Sequence, residues 1–218
     1  KYLIKRDYEM AVKQYFMNLR FINNKSKDND KKNILRTWPT FNIKVNDYEF
    51  KKIINEYKNT KSWIKTYQKI PSYLRQMFII AYQSYLWNEC VKLLIKEKVG
   101  KDNIEVIPYS IDELYFSKIQ IKDIPKTFQT ISQKISSKIH ESKIIQKVLD
   151  EEKISIPEFK IYKSGNFFKT HEREVIIYPK DFELMKPIKD GLTYSIVAKF
   201  TLPKGSYATI VMKRLFGK

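Results

Sequence analysis

The residues best suited to chemistry stand close together near the end of the chain, in the segment Leu202–Thr209. A Pro and a Gly interrupt a predicted strand there, and a predicted helix begins at Ser206 or Tyr207. The first N–H groups of a helix lack intrahelical partners, so together with Lys204 and the Ser206 hydroxyl they can hold a phosphate or a base edge. Tyr207 can stack on an unstacked base. An ordinary turn, with Tyr207 packed on the sheet, explains the same residues, and physical chemistry alone favours that interpretation.

Two other segments place aromatic side chains beside polar or basic ones. Ala81–Asn88 interleaves tyrosines and a tryptophan with amides at helical spacing. These side chains can contact RNA, but a core helix with satisfied amides is the favoured interpretation. In the second segment, Phe167–Arg173, exposed aromatics beside basic residues would suit nucleic acid, and a hairpin loop explains them almost as well.

A cluster of lysines and serines is the last candidate surface. It could follow a phosphate backbone, and a solvated helix face is an equal alternative. Its members are Lys134, Lys138, Lys143 and Lys147 with Ser136 and Ser137.

Several kinds of catalytic and metal site are not supported. Cys90 is the only cysteine, which excludes an intramolecular disulfide and a zinc site built on several thiolates and suits a reducing, intracellular setting. His140 and His171 do not have metal-ligand spacing, so no metal site is predicted. No catalytic triad, outstanding carboxylate pair or Gly-rich phosphate loop is present.

The charge balance points to a polyanionic partner. Lys and Arg number 42 against 24 Asp and Glu, giving a net charge of +18. Nucleic acid is the favoured partner. A Lys-rich proteome bias and a membrane surface are the alternatives, although no amphipathic helix with a clean apolar face or apolar run of about 20 residues is visible.

Hydrophobic spacing predicts the elements that position these residues. Helices are expected over Tyr2–Phe21 and Pro71–Lys98, and polar Asn23–Asn33 is expected to be a loop. Alternation over Leu192–Thr201 predicts a strand of about ten residues, which the Asp190-Gly191 turn precedes.

Shorter elements are also expected. They include a helix over Asp47–Tyr57 capped by Asp47 or Asn46, and strands at Ile104–Tyr109, Phe159–Tyr162 and Glu174–Tyr178. Helices come first and mixed elements follow, so the fold class is α+β. The chain begins at Lys1 and not at Met, and it is expected to be a piece of a longer protein.

Two segments resemble tRNA pseudouridine synthases of the TruD family. Ala81–Asn88 is similar to that family's Tyr-Gln-Ser-Tyr-Leu-(Trp/Phe)-Asn helix, in the form of the archaeal and eukaryotic branch. Phe200–Thr209 is similar to its Phe-x-Leu-Pro-x-Gly-Ser-(Tyr/Phe)-Ala-Thr motif, and Arg173 followed by Pro179–Asp181 fits the pattern between them. The two motifs occur in the family's order and bracket most of the chain.

The resemblance implies an isomerase that converts uridine to pseudouridine in tRNA, typically at position 13, without a metal or cofactor. The alternative is a non-catalytic basic RNA-binding module. The resemblance makes Tyr207, with Gly205 and Ser206, part of the uridine pocket, and Lys204, Arg173 and Lys213 candidates for RNA contact. tRNA is the implied partner, and the implied location is the cytoplasm, or the nucleus in a eukaryote.

The chain lacks the family's nucleophile motif. The catalytic aspartate of the family stands in a Lys-Asp-Lys-Arg-Ala-like context, and none of the aspartates here has it; they are Asp7, Asp28, Asp30, Asp47, Asp102, Asp112, Asp123, Asp150, Asp181 and Asp190. The chain is therefore expected to comprise the TruD insert domain at residues 1–190, helical and then mixed, and the last strand, turn and helix of the catalytic domain at 191–218. Lys213-Arg214 replaces a common Arg-Glu pair, so position 213 keeps a positive charge without a bidentate contact.

Overall fold

The computed structural model describes residues 1–19, 24–109, 112–136, 139–161 and 168–217. The α-helices there are α1 (Tyr8–Asn18), α2 (Lys25–Arg36), α3 (Tyr48–Thr60), α4 (Trp63–Gln68), α5 (Ser72–Val99), α6 (Ile139–Glu152) and α7 (Ala208–Phe216). The strands are β1 (Ile104–Tyr109), β2 (Asp112–Ser117), β3 (Thr127–Gln129), β4 (Glu172–Glu174), β5 (Lys180–Leu184), β6 (Ile188–Asp190), β7 (Thr193–Ser195) and β8 (Ala198–Thr201). The strands pair antiparallel as β1–β2, β3–β4, β5–β8 and β6–β7.

The chain forms two compact units. The first unit comprises Lys1–Tyr85, Ile131–Lys134 and Leu149–Lys169, and the second comprises Leu86–Thr130, Ile135–Val148 and Thr170–Lys218. The first unit is helical, and every strand of the described residues belongs to the second. The predicted α+β class is confirmed.

Side-chain caps start α1, α2 and α3 in the first unit. The Asp7 carboxylate accepts a hydrogen bond from the backbone N–H of Met10 (2.9 Å), so α1 starts at Tyr8 and not at the predicted Tyr2. The Asp47 carboxylate accepts the N–H of Phe50 (3.0 Å), which confirms this predicted cap of α3.

The prediction of a loop at Asn23–Asn33 was wrong, apart from Asn23, which lies outside the described residues. Helix α2 occupies this stretch, and the Asn24 side chain caps it by accepting the N–H of Lys27 (3.0 Å). The polar composition suggested a loop because this helix buries few side chains and so needs few apolar residues. One face buries Ile34 and the 2% exposed Asp30. The Asp30 carboxylate accepts the backbone N–H groups of the two residues preceding α3, at 2.8 and 2.7 Å, which ties α2 to the start of α3.

An aromatic cluster joins α3 and α4 to the segment after α2. The rings of Tyr57 and Trp63 stack with centroids 3.9 Å apart, and Trp38 stacks on Trp63 at 5.0 Å. The ammonium groups of Lys13 and Lys61 lie 5.9 Å and 5.4 Å from the Trp38 and Tyr57 ring centres, respectively. Cation–π attraction at both ends of the stack adds to the apolar burial.

Helix α5 confirms the predicted Pro71–Lys98 helix within one residue at each end. Its buried side chains include Gln83, Leu86, Cys90 and Leu94. Burial raises the pKa of the Cys90 thiol to about 12, so the thiol stays protonated at neutral pH. The end of α5 packs against the following strand through Ile95, Val99 and Ile104.

One of the three short strands was predicted at its observed position, and the other two were not. β1 has the predicted bounds Ile104–Tyr109 and pairs with β2 over its whole length. The Phe159–Tyr162 strand was wrong over its described part, because Ser155 and Glu158 form a capping box that starts a 3₁₀ turn at Ile156–Phe159; Tyr162 lies outside the described residues. The Glu174–Tyr178 strand was displaced, since β4 ends at Glu174 after pairing with β3.

The strand predicted over Leu192–Thr201 is divided between β7 and β8. β7 pairs with β6 next to the turn at Gly191, and β8 pairs with β5, with a shift in register between Lys180 and Glu183. Residues 180–201 thus form a two-stranded ribbon. Its first arm contains β5 and β6, and its second arm contains β7 and β8. The exposed apolar side chains of the ribbon include Phe182, Leu184, Ile188, Leu192, Tyr194 and Val197.

Across the described ranges, no helix is long and apolar enough to cross a membrane.

Candidate substrate-binding turn

A tight turn connects β8 to α7. The backbone N–H of Ser206 donates to the carbonyl oxygen of Pro203 (3.1 Å), which closes a four-residue turn with Lys204 and Gly205 at its centre. Gly205 has φ of +90°, as the third position of a type II turn requires. No atom lies within 4 Å of the position that a Cβ at Gly205 would occupy, so the backbone conformation and not crowding favours glycine here.

Tyr207 occupies the N-cap position of α7 and is not packed on the sheet. Its side chain is 61% exposed, and no side chain caps the helix start, so backbone N–H groups at Ala208 and Thr209 face no capping acceptor. Lys204 is also exposed, and Ser206 is half-buried. An exposed aromatic ring, a lysine, a hydroxyl and a helix N-terminus therefore meet at one turn, a combination suited to a base with its phosphate.

Lys213 lies at the opposite end of α7. Its ammonium donates to the carbonyl oxygen of Pro108 (3.0 Å) and lies 5.9 Å from the Tyr109 ring centre. Six residues of helix, about 9 Å of rise, separate it from Tyr207. The predicted RNA-contact residue Lys213 is thus engaged by the end of β1.

Arg214, to which sequence reasoning gave no role, anchors the end of α7. Its guanidinium pairs with the Glu105 carboxylate, donates to the carbonyl oxygen of Ser117 (3.1 Å) and lies 5.7 Å from the Phe116 ring centre. With Lys213, it joins the helix to both strands of the β1–β2 hairpin. The basic pair in the last turn also complements the negative end of the helix dipole.

Arg173 lies on β4, opposite Phe128 of β3. Its guanidinium lies 5.9 Å from the centre of the Trp87 ring, and the Trp87 indole N–H donates to the carbonyl oxygen of Phe128 (2.9 Å). Arg173 is half-buried by this packing. No described contact links it to Tyr207, so the structure brings together four of the predicted residues, Lys204, Gly205, Ser206 and Tyr207, and holds Arg173 and Lys213 elsewhere.

The Ala81–Asn88 segment has the interior role that its spacing favoured. Gln83 is 3% exposed, and its amide donates to the carbonyl oxygens of Ile131 (2.8 Å) and Lys169 (2.7 Å). The hydroxyls of Tyr82 and Tyr85 donate to the Glu152 carboxylate at 2.8 and 3.0 Å. Burial and the hydrogen bond to Glu152 raise the pKa of Tyr82. The polar groups of this helix therefore hold neighbouring backbone and α6 in place.

The two other candidate surfaces fall partly outside the described residues. Ser137, Lys138 and Phe167 lie outside them, while Lys134, Lys143 and Lys147 are exposed. Phe168, expected to be exposed, is only 9% exposed because its ring packs at 5.0 Å from that of Phe159. Where side chains are described, no group of three or more His, Cys, Asp or Glu residues could hold a metal ion.

The sequence matches one protein family over nearly its whole length. The family model for tRNA pseudouridine synthase D (TruD) matches residues 1–215. The chain is 30% identical to the probable tRNA pseudouridine synthase D 1 of Methanococcus maripaludis, with 99% of this chain and 59% of that protein covered. It is 31% identical to the probable tRNA pseudouridine synthase D 2 of Methanocaldococcus jannaschii, over 99% and 55% respectively. The chain thus spans between half and two thirds of the length of these relatives.

A solved structure shares the fold. The crystal structure of the putative tRNA pseudouridine synthase D (TruD) from Methanosarcina mazei superposes with a TM-score of 0.69 at 19% identity, covering 100% of this chain and 56% of that one. The family match over residues 1–215 is the decisive finding, because it includes both sequence motifs and the turn that presents Tyr207. This chain belongs to the tRNA pseudouridine synthase D (TruD) family.

Proposed function

We propose that this chain is part of an enzyme that isomerises uridine to pseudouridine in tRNA, with uridine-13 as its target, and that Tyr207 forms one wall of the uridine pocket. The observation that carries the proposal is the 61% exposure of Tyr207 on the Pro203–Ser206 turn. A buried Tyr207 would have favoured a packing role. An exposed ring at an uncapped helix start favours a stacking role.

The residues of the turn have distinct tasks in this proposal. An enzyme that acts on a base in structured RNA first moves the nucleotide out of the stack. The Tyr207 ring then stacks on the extruded uracil, and Gly205 and Ser206 let the backbone come close to it. Lys204, exposed beside the turn, contacts a phosphate. Arg173 and Lys213 contribute less directly, since their charges are already engaged by Trp87 and Pro108.

The nucleophilic aspartate lies outside this chain in our proposal, because no aspartate of the sequence has the Lys-Asp-Lys-Arg-Ala-like context. Residues 1–190 are then the insert domain, and residues 191–218 complete the catalytic domain of a longer protein. The ribbon over residues 180–201 supports this assignment. A two-stranded ribbon is marginally stable alone in water, so its exposed apolar side chains favour cover by other parts of a longer protein.

Tritium release from tRNA labelled at carbon 5 of uridine tests the proposal. The 218-residue chain alone is expected to release none, and a protein of family length that includes it is expected to release tritium. In that longer protein, Tyr207→Ala is expected to lower kcat/KM roughly 10- to 100-fold, because stacking contributes about 1–3 kcal/mol per base. Tyr73→Ala, at a tyrosine that is 66% exposed on α5, is the matched control. Release by the isolated chain would show that the nucleophile is present after all.

A non-catalytic RNA-binding module is the second candidate, favoured by the charge of +18 and the lack of a nucleophile motif. The reading frame upstream of Lys1 distinguishes the two. An aspartate in a Lys-Asp-Lys-Arg-like context there supports the enzyme. Its absence, together with tRNA binding by the encoded protein and no tritium release, supports the binding module.

A further inference from the structure

A shallow groove runs along α3 in the helical unit, beside the segment at residues 43–45. Lys44, Lys51, Asn55 and Lys58 line it, and Ile54 contributes to its apolar floor. Three of these residues share one face of α3 because they are separated by four and three positions. Lys51 and Lys58 are two turns apart, about 10 Å along the helix.

The acidic side chains around α3 are engaged away from the groove. Glu49 lies 3.6 Å from the ammonium of Lys27, which also pairs with the capping Asp47 at 3.1 Å. Glu56 pairs with Lys69 at 3.1 Å.

The lysines of the groove have no such acidic partners. Throughout the described parts of the chain, no carboxylate forms an ion pair with Lys44, Lys51 or Lys58. The groove therefore presents uncompensated positive charge, although carboxylates are available on the same helix. Like charges gathered on one surface repel each other, and a bound anion removes that cost.

The dimensions of the groove favour a polymer over a small molecule. Its volume is about 130 Å³, below the roughly 300–1,000 Å³ of typical small-molecule sites. Separate ammonium groups along an open groove suit successive phosphates of a nucleic acid backbone, to which lysines bind as point charges. Asn55 adds an amide that can donate to a phosphate or sugar oxygen.

We infer that the Lys44–Lys51–Lys58 groove binds the phosphate backbone of the RNA substrate. The inference rests on the proposed function for the identity of the polyanion. It gives the helical unit a binding role of its own, separate from the turn at Tyr207. Because phosphate contacts carry no sequence information, the groove contributes affinity that is nearly independent of RNA sequence.

The salt dependence of tRNA binding tests the inference. The 218-residue chain and its triple variant Lys44→Gln/Lys51→Gln/Lys58→Gln are titrated with tRNA at several KCl concentrations. Loss of three phosphate contacts is expected to reduce the slope of log K against log [KCl] by about 2–3 and to weaken binding at least roughly 10-fold at low salt. Lys44→Arg/Lys51→Arg/Lys58→Arg is expected to retain the slope, because the charges remain.

A second triple variant, Lys96→Gln/Lys98→Gln/Lys101→Gln, changes the net charge equally at exposed lysines of the α5 end and just beyond it. It is expected to lower the slope by less than 1. Equal effects of the two glutamine triples would overturn the inference, since only total charge would then matter. An unchanged slope in the groove variant would also overturn it.

The test separates the groove from the proposed function. If the groove variant kept the wild-type slope while Tyr207→Ala bound tRNA more weakly, only the inference about the groove would be overturned. Absence of tRNA binding by the wild-type chain at low salt would overturn the groove, and tritium release by the family-length protein would then decide the proposed function separately. Thermal unfolding of each variant, expected within a few degrees of wild type, verifies that the substitutions leave the fold intact.

Discussion

The side-chain amide of Gln83 donates a hydrogen bond to the carbonyl oxygen of Ile131 at 2.8 Å, across 48 residues of sequence. The same amide nitrogen reaches the carbonyl oxygen of Lys169 at 2.7 Å. One buried side chain therefore joins three distant stretches of the helical unit. The Ala81–Asn88 segment, which could have contacted RNA, instead holds distant backbone segments together.

Replacing Gln83 by Leu should destabilise the chain by about 1–3 kcal/mol. The change removes the donor and leaves two carbonyl oxygens without it in a buried site. Urea unfolding followed by circular dichroism measures the loss. Gln120→Leu makes the same chemical change at an exposed position and should alter the free energy of unfolding by less than about 0.5 kcal/mol. Equal stabilities of the two variants would contradict the role given to Gln83.

Replacing Gly205 by Ala should destabilise the Pro203–Ser206 turn by about 1–2 kcal/mol. The cost arises from the backbone, because φ at this position is +90° and the space for a methyl group is open. In a family-length protein, kcat/KM for tRNA should fall as the turn shifts Tyr207. Gly205→Asn should retain more activity, since asparagine tolerates positive φ better. Alanine performing as well as glycine would show that the turn does not constrain Tyr207.

Replacing Glu152 by Gln should lower stability at neutral pH by about 1 kcal/mol. Burial opposes the charge, but hydrogen bonds from Tyr82, Lys1 and Tyr85 outweigh it and hold the pKa of Glu152 below its ordinary value of 4.5. A lowered folded-state pKa contributes stability fully above the unfolded value, and that stability is lost as pH falls through the folded one.

Thermal unfolding of wild type and Glu152→Gln between pH 3 and 8 therefore should show a difference near neutrality that narrows as pH falls below 4.5. Glu174→Gln, at an exposed glutamate of β4, is the control and should unfold like wild type over this range. A difference between wild type and Glu152→Gln that stayed constant from pH 8 to pH 3 would indicate a packing defect and not the loss of an ionised contact.

A double-mutant cycle on Arg214 and Glu105 should give a coupling free energy of at most about 1 kcal/mol that decreases with salt. Both side chains are substantially exposed, at 43% and 37%, so water screens their attraction. Arg214→Gln alone should cost more than Glu105→Gln, because it also removes the bond to the Ser117 carbonyl. The free energies of unfolding of the four proteins supply the cycle. Equal costs of the two single changes would argue against that second bond.

Sequence patterns predicted the elements that bury apolar side chains at regular intervals. Helix α5 was found within a residue of its predicted bounds for this reason, and strand β1 was found because its Ile, Val and Tyr residues favour strands. Helix α2 was missed because its stability comes from the Asn24 cap and from Asp30, whose partners are backbone groups 16 and 17 residues away. Hydrophobic spacing does not report such contacts.

The site was predictable where local sequence determines geometry. The Pro203–Ser206 turn follows from its Pro and Gly, and the turn itself exposes Tyr207. The environments of Arg173 and Lys213 depend on β3 and β1, which are distant in sequence. The positive charge of the groove on α3 could not be predicted from the sequence either. It is uncompensated because Glu49 and Glu56 pair with Lys27 and Lys69, outside the groove.

The inertness of Cys90 makes this chain convenient for spectroscopy. It is the only cysteine of the sequence, its side chain is fully buried, and the raised pKa of its thiol keeps it unreactive near neutrality. A maleimide dye should therefore modify a cysteine introduced at the exposed Asn59 or Thr209, beside these two sites, without prior removal of Cys90. Fluorescence from the two singly labelled proteins would report occupancy of the groove and of the turn in parallel titrations with tRNA.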